Sequence, residues 1–260
     1  MFELLITTAG ITLAAVASLW VISIIIRDVS IIDMAFSGLI CLLIGFSFYK
    51  TQANGSAALL TLVAVFIWGL RMSVYLVHRN WGHGEDVRYT RLRSWAPEGW
   101  AFHWLSLRQV FLLQGVVIWL LTLPQQIFFW VAPAADMTAI AWLGLSLWGI
   151  GFFFETVGDW QLSKFRADES RRGTVLNTGL WRYTRHPNYF GELAQWWGLF
   201  LIAIQVPLVA FGLVGVLLYS WLVVRVTGKA TLEKKLGREK PGYEDYVRTT
   251  SGLIPWFPKR

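Results

Sequence analysis

The sequence predicts an all-α integral membrane bundle of about seven transmembrane helices. Three observations predict it. More than half of the residues are hydrophobic (55%), with 16 Trp and 17 Phe, and the mean hydropathy is +0.50. The apolar residues gather in runs of about the length needed to cross a hydrocarbon layer of ~30 Å at 1.5 Å rise per residue. The charges lie between the runs, and the cations crowd alternate connections. No internal repeat or composition break is evident, so a single membrane domain over 1–260 is expected.

The first run, 4–26, is too long and too poor in early cations to read as a cleaved leader. A tight polar break at 27–30 follows, and Asp33 stands at the mouth of the second run, 31–49. Gly55 and Ser56 mark a short turn before the third, 57–77. The polar segment 78–108 then carries Arg79, Arg88, Arg91, Arg93 and Arg108. The fourth run, 109–131, contains Pro124, which removes a helix hydrogen bond and is expected to kink it. A turn at 132–136 leads to the fifth, 137–157, and 159–186 is a second large polar segment. The sixth run, 187–204, a minimal turn at 205–207, the seventh, 208–226, and a basic tail, 228–260, complete the chain.

The net charge of +7 would point to nucleic acid in a soluble protein. On a chain this apolar it reads instead as topology and attraction to anionic head groups, with membrane lipids as partners and no nucleic acid. Connections one, three and five and the tail hold nearly all Lys and Arg, whereas two, four and six hold only Lys50. The positive-inside rule then predicts an outside N-terminus and a cytoplasmic C-terminus. Cys41 is the single cysteine, and the four histidines lack metal-ligand spacing, so neither a disulfide framework nor a metal site is expected. No small-residue dimer face stands out from the general glycine content, which leaves the oligomeric state open.

The densest chemistry lies at 179–192, GLWRYTRHPNYFGE, with Arg182, Arg185, His186, Asn188, Tyr189 and Glu192. Pro187 suits the first turn of a helix, so Thr184 to His186 reads as loop. A helix N-terminus beside arginines favours an anion such as phosphate or carboxylate. Interfacial anchoring by Trp, Tyr and Arg is the alternative. Asn188 and Glu192 lie one turn apart on one face. Two other constellations stand out. Glu155, Asp159 and Arg166 share a helix face at the end of the fifth run, where they would serve a site, or Asp159 would satisfy itself internally with Ser163 and Arg166. Asp33 is joined by Arg71, Tyr75, His78 and Arg79. There Asp33 would act chemically, cap the second helix or pair with Arg71, and Tyr75 would act or simply sit at the interface. No GxGxxG follows a strand, and no P-loop or GxSxG is present. The tail reads as a surface amphipathic helix or a lid.

The stretches DWQLSKF, GLWRYTRHPNYFGELAQWWG and VRVTGKATLEKKLG followed by PGYEDYVRTTSGLIPWFPK resemble the bacterial DUF1295 membrane proteins, which belong with the steroid 5α-reductases. The motifs cover about 155–260, and the helix layout extends the likeness over the chain. The resemblance implies a membrane cavity that holds NADPH, with hydride passing to the β carbon of an enone and a Glu–Tyr pair polarising the ketone. By motif it places cofactor contacts at Asn188 and Glu192, at Asp159 and Arg166, at Arg225, and at His78 and Arg79. The chain departs from the pattern at four places. Leu76 stands where the family Tyr falls, one residue after Tyr75. Asp33 is the nearest acid to the polarising Glu, and Glu155 replaces an Asn. Arg185-His186-Pro187-Asn188 replaces Ser-Gly-Ala-Asn. This last form also resembles isoprenylcysteine carboxyl methyltransferases and phospholipid methyltransferases, which bind S-adenosylmethionine.

The expectation is an NADPH-dependent membrane reductase of the C=C bond of a steroid-like or isoprenoid-like enone lipid, in the bacterial inner membrane. Its catalytic pair would be Asp33 and Tyr75. Its cofactor contacts would come from Arg79, Glu155, Asp159, Arg166, Arg182, Arg185, His186, Asn188, Tyr189, Glu192 and Arg225. The alternatives are an S-adenosylmethionine-dependent lipid or isoprenylcysteine-type methyltransferase and a non-catalytic protein of the same fold.

Overall fold

A computed structural model describes residues 1–80, 82, 84–226, 233 and 236–259. Of the tail expected over 228–260, residues 228–232, 234, 235 and 260 lie outside the described residues, as does His83. The described chain is helical, without strands. Its main elements are α1 (Phe2–Ile26), α2 (Ile31–Lys50), α3 (Ser56–Asn80), α4 (Val87–Arg93), α5 (Trp100–Ser106), α6 (Leu113–Val131), α7 (Ala139–Ala167), α8 (Pro187–Ala203), α9 (Leu213–Trp221) and α10 (Tyr243–Thr249).

Six helical stretches are long and apolar enough to cross a membrane: Phe2–Ile26, Ile31–Lys50, Ser56–Asn80, Trp100–Val131, Ala139–Ala167 and Pro207–Val226. The expected sixth run forms α8, which at 17 residues is shorter than the others. The expected fourth run is preceded by helix rather than loop. α5 passes through a π-helical stretch, Leu107–Leu112, directly into α6, giving 32 continuous residues. Pro124 lies inside α6.

The helices form two compact units, residues 1–137 with 203–215 and residues 138–202 with 216–260. In the first, the turn after α1 is made by Arg27 in the left-handed region (φ 56°), whose N–H closes on Ser23 O. The segment before α4 is then bolted to that turn. Glu85 accepts from Val29 N–H at 2.8 Å, and Ser30 Oγ accepts from Asp86 N–H at 2.8 Å. Beneath this seam Val16, Val29, Ile32, Leu92, Phe102 and Phe111 pack as one apolar cluster. Deeper in the unit, Thr8, Thr122 and Gln126 satisfy one another. Thr8 Oγ1 donates to Gln126 Oε1 at 2.7 Å, and Gln126 Nε2 donates to Thr122 Oγ1 at 2.8 Å. Such pairing is required where no water replaces a lost hydrogen bond.

In the second unit α7 and α8 run antiparallel along a seam of glycines spaced seven apart. A Cβ on Gly144 would stand 2.6 Å from Gly198 O, one on Gly151 2.5 Å from Gly191 O, and one on Gly158 3.1 Å from Pro187 Cγ. A spacing of seven keeps these residues on one helix face, and only hydrogen at that face lets two backbones touch. The sequence did not reveal this intramolecular seam, because glycine is plentiful elsewhere in the chain.

Candidate functional site

The α7–α8 seam brings the side chains that flank it into facing pairs. Gln195 Nε2 donates to Glu155 Oε2 at 2.7 Å and to Gly191 O at 3.2 Å. Asn188 Nδ2 donates to Asp159 Oδ1 at 3.1 Å. The Tyr219 hydroxyl donates to Glu192 Oε1, and Trp197 Nε1 donates to Ser220 Oγ at 3.2 Å, which fixes α8 against α9. Glu155 is 2% exposed and Asp159 4% exposed. Carboxylates at that depth are costly unless neighbouring groups solvate them. Because the acids take the N–H ends of both amides, the carbonyl ends turn away. Asn188 Oδ1 and Gln195 Oε1 are buried and have no donor among the described residues. Asp159 thus faces Asn188, Glu155 faces Gln195 and Glu192 faces Tyr219, and Asp159 turns to Asn188 rather than to Ser163 or Arg166.

At the start of α8 the chain follows the expected pattern. Thr184 to His186 is irregular and Pro187 opens the helix. Arg185 does not reach out to a ligand, however. It is buried, and its Nε donates to Glu233 Oε1 at 2.8 Å while its Nη1 donates to Val247 O at 2.9 Å and Thr250 O at 2.6 Å. His186 Nε2 meets the same Glu233 oxygen at 3.0 Å, and the imidazole stacks on Tyr189 with centroids 5.3 Å apart. Arg185 and His186, expected at a ligand anion, here meet a carboxylate of the chain itself. Partial burial works to raise the Glu233 carboxyl, but the hydrogen bonds from His186 and Arg185 outweigh it and hold the group down at about 2. The tail is fastened at further points. Arg185 N–H donates to Ser251 O at 2.9 Å, Thr184 Oγ1 to Leu253 O at 2.8 Å, and Trp256 N–H to Tyr183 O at 2.9 Å.

Arg166, Arg182 and Arg225 are exposed and form no ion pair among the described residues. Arg166 ends α7, and its charge adds to the burial that holds Lys240 below its ordinary range. Arg182 lines a surface groove of about 490 Å³ with Thr178, Tyr246 and Thr249.

In the first unit the expected Asp33–Tyr75 couple is not formed. Asp33 accepts from Arg88 Nη2 at 2.6 Å, Tyr89 Oη at 2.7 Å and Gln114 Nε2 at 3.1 Å. The phenol on Asp33 is Tyr89, because α4 folds back over the first turn of α2. Burial first, and the Asp33 charge second, push the Tyr89 phenol well above its usual range. Nor does Asp33 pair with Arg71. Arg71 and Arg79 instead lie over the Tyr75 ring, 5.9 and 5.8 Å from its centroid.

The family described as a protein of unknown function, DUF1295, matches residues 19–250. The chain belongs to the DUF1295 family. An uncharacterized protein of Schizosaccharomyces pombe is 25% identical to this DUF1295 member over 91% of the chain and 75% of its own length. The 3-oxo-5-alpha-steroid 4-dehydrogenase 1 of Mus musculus is 28% identical over 49% of the chain, and that of Rattus norvegicus is 27% identical over 49%. The matched stretch spans 45% and 44% of the two rodent enzymes. No solved structure matches. The DUF1295 protein is therefore a membrane protein distantly related to steroid 5α-reductases.

Among the polar residues of these clusters that escaped the sequence reading are Gln195, Tyr219, Glu233 and Tyr89. Gln195 carried a usable signal, since it lies seven residues after Asn188 on the same face of α8. Tyr219 sits in an apolar run where a phenol reads as core. Glu233 and Tyr89 act through contacts 47 to 56 residues away in sequence.

Proposed function

We propose that this DUF1295 protein is an NADPH-dependent membrane reductase that saturates the C=C bond of an enone lipid, steroid-like or isoprenoid-like. The observation that carries the reading is the Asp159–Asn188 pair. Two residues that the family motifs mark as cofactor contacts lie 29 apart in sequence on different helices, and they meet at 3.1 Å with no donor to Asn188 Oδ1 among the described residues. A buried carbonyl oxygen lacking a donor costs about 1–3 kcal/mol, so a ligand that supplies an N–H is favoured there. Gln195 Oε1 repeats the arrangement two turns along α8. The residues thus fit a carboxamide and hydroxyl-bearing ligand, which NADPH is.

In this reading Glu155, Asp159, Asn188 and Glu192 hold the nicotinamide half, and Tyr189 flanks it through its stack on His186. Arg166, Arg182 and Arg225 are left for phosphates, as exposed cations without an ion-pair partner among the described residues, on the face that charge asymmetry assigns to the cytoplasm. Bound NADPH supplies the hydride for the β carbon of the enone. The protein's own part is to polarise the ketone, because charge develops on that oxygen. Tyr75, with Arg71 and Arg79 over its ring, is the donor assigned here, and those two cations orient it. Arg79 also donates to Asn80 Oδ1 at 3.1 Å, which sets its own position. Asp33, committed to Arg88, Tyr89 and Gln114, is left out of the chemical step.

The test is transfer of label. Detergent-purified protein, NADPH deuterated at C4 on either face, and a panel of steroidal and isoprenoid enones are incubated together. Mass spectrometry then follows the product. Deuterium at the β carbon from one face only is the expected result. Methyl transfer from S-adenosylmethionine to a lipid, with no label from NADPH, overturns the reading.

A further inference from the structure

Two tryptophans on α7 mark the faces of the bilayer. Trp142 and Trp160 are both exposed and stand 18 residues apart. At 1.5 Å rise per residue that is about 27 Å, close to a hydrocarbon layer of ~30 Å with an aromatic belt at each face. The exposed residues of α7 between them are uncharged, and Lys164, one turn past Trp160, lies over its ring at 5.5 Å from the centroid. The loop before α8 is bonded at the Trp160 level. Leu180 N–H donates to Gln161 Oε1 at 3.0 Å, and Trp181 Nε1 donates to Gly158 O at 3.2 Å. The tail hangs from that same loop. Trp256 N–H donates to Tyr183 O, Thr184 Oγ1 donates to Leu253 O, and the Tyr183 and Phe257 rings meet edge to face, 6.3 Å between centroids. Ile254, Trp256 and Phe257 are thereby held near the level of Trp160, yet their side chains are 67%, 69% and 76% exposed.

We propose that Ile254, Trp256 and Phe257 form an interfacial anchor, an apolar tip that seats the tail in the lipid surface at the Trp160 end of α7. Single apolar side chains on a protein surface are ordinary. Three within four residues, on backbone fixed at the level of the bilayer face, meet lipid head groups and the first methylenes of the chains. The depth of the loop that carries them selects lipid over a second protein as the partner. The backbone suits that place. Pro255 and Pro258 have no N–H to satisfy, and the N–H groups of Trp256 and Lys259 are bonded to Tyr183 O and Thr249 O. Insertion therefore strips water from few free donors. The consequence reaches the start of α8. Val247 O and Thr250 O, just ahead of the tip, accept from Arg185 Nη1. The anchor thus ties the bilayer surface to the segment that positions Arg185, whatever reaction the protein performs.

The experiment uses the full chain reconstituted in vesicles of phosphatidylcholine and phosphatidylglycerol. Cys41 is the single cysteine, so a Cys41→Ser background allows one nitroxide label at a time. Ile254→Cys, Trp256→Cys and Phe257→Cys are labelled in turn, with Glu244→Cys, on the exposed side of α10, as the reference in water. Electron paramagnetic resonance then compares collisions with oxygen, which concentrates in lipid, and with a water-soluble nickel chelate. The ratio of oxygen to nickel collisions is expected to be several-fold higher at 254, 256 and 257 than at 244. In detergent-free vesicles, Trp256→Glu together with Phe257→Glu is expected to bring the ratio at a label on 254 down to the value at 244. Nickel reaching 256 and 257 as readily as 244 overturns the anchor. Labels shielded from both reagents, or broadened by a second label nearby, also overturn it, because a protein surface then covers the tip. Each of the three side chains is two-thirds or more exposed and packs little, so a cysteine variant that fails to assemble leaves the other two positions to decide.

Discussion

Gly151 and Gly191 stand so close across the α7–α8 seam that a Cβ on either meets backbone of the other, 2.5 Å from Gly191 O in one case and 2.4 Å from Gly151 O in the other. Backbone cannot yield as the end of a side chain can, so the two helices must part to admit even a methyl group. Gly149, on the same helix, faces open space. Gly151→Leu is therefore expected to destabilise the protein by at least about 1–3 kcal/mol, the usual cost of overpacking, while Gly149→Leu stays near native. Thermal unfolding in detergent checks this. Equal melting of the two variants would mean that the seam does not hold the site together.

Asp33 and Tyr75 separate in a measurable way. Tyr89→Phe deletes a charge-assisted hydrogen bond to Asp33 and should cost about 1.5–3 kcal/mol of stability. In a double-mutant cycle with Asp33→Asn the two changes should be coupled, since they share one contact. Tyr75→Phe should instead leave melting unchanged and lower turnover of an identified enone by ~10²–10³, the usual loss for a donor to a developing oxyanion. If Tyr75→Phe turns over at the native rate, the donor lies elsewhere.

Glu233 makes stability depend on acid. Its carboxyl lies at about 2 in the folded chain against an ordinary 4.5, so the unfolded chain binds the extra proton. The resulting stabilisation is fully present above about pH 4.5 and is lost as pH falls toward about 2. The difference in melting temperature between the native protein and Glu233→Gln should be constant from pH 7 to about pH 5 and shrink below it. A difference that is flat down to about pH 3 would show that Glu233 is not held by Arg185 and His186 in solution.

How much was legible in the sequence follows from the range of each interaction. Helices α1, α2, α3 and α7 were readable because an apolar run of membrane length is a local property. So was the start of α8, because Pro187 admits few other positions. Asn188 and Glu192 were readable as a pair from helical spacing alone. That Asp159 faces Asn188 was not, because it depends on glycines seven apart on two helices in register. What Arg185 meets was not legible for a related reason. A basic residue beside a helix N-terminus signals an anion, but local sequence does not say whether that anion is a ligand or the chain's own Glu233. Asp33 was assigned to Tyr75 because α3 was the nearest source of a phenol in the family pattern, whereas the fold delivers Tyr89 through a short helix after α3.

The central claim is that the paired acids and amides of α7 and α8 form a nicotinamide nucleotide site. Calorimetric titration of the purified protein with NADPH and, separately, with S-adenosylmethionine tests it most directly, with Asn188→Ala and Arg225→Ala in parallel. Saturable binding of NADPH is predicted, weakened about tenfold or more by either substitution, in keeping with roughly 1.5–3 kcal/mol for a charge-assisted contact. Saturable binding of S-adenosylmethionine by the native protein, with no heat from NADPH, would contradict the account.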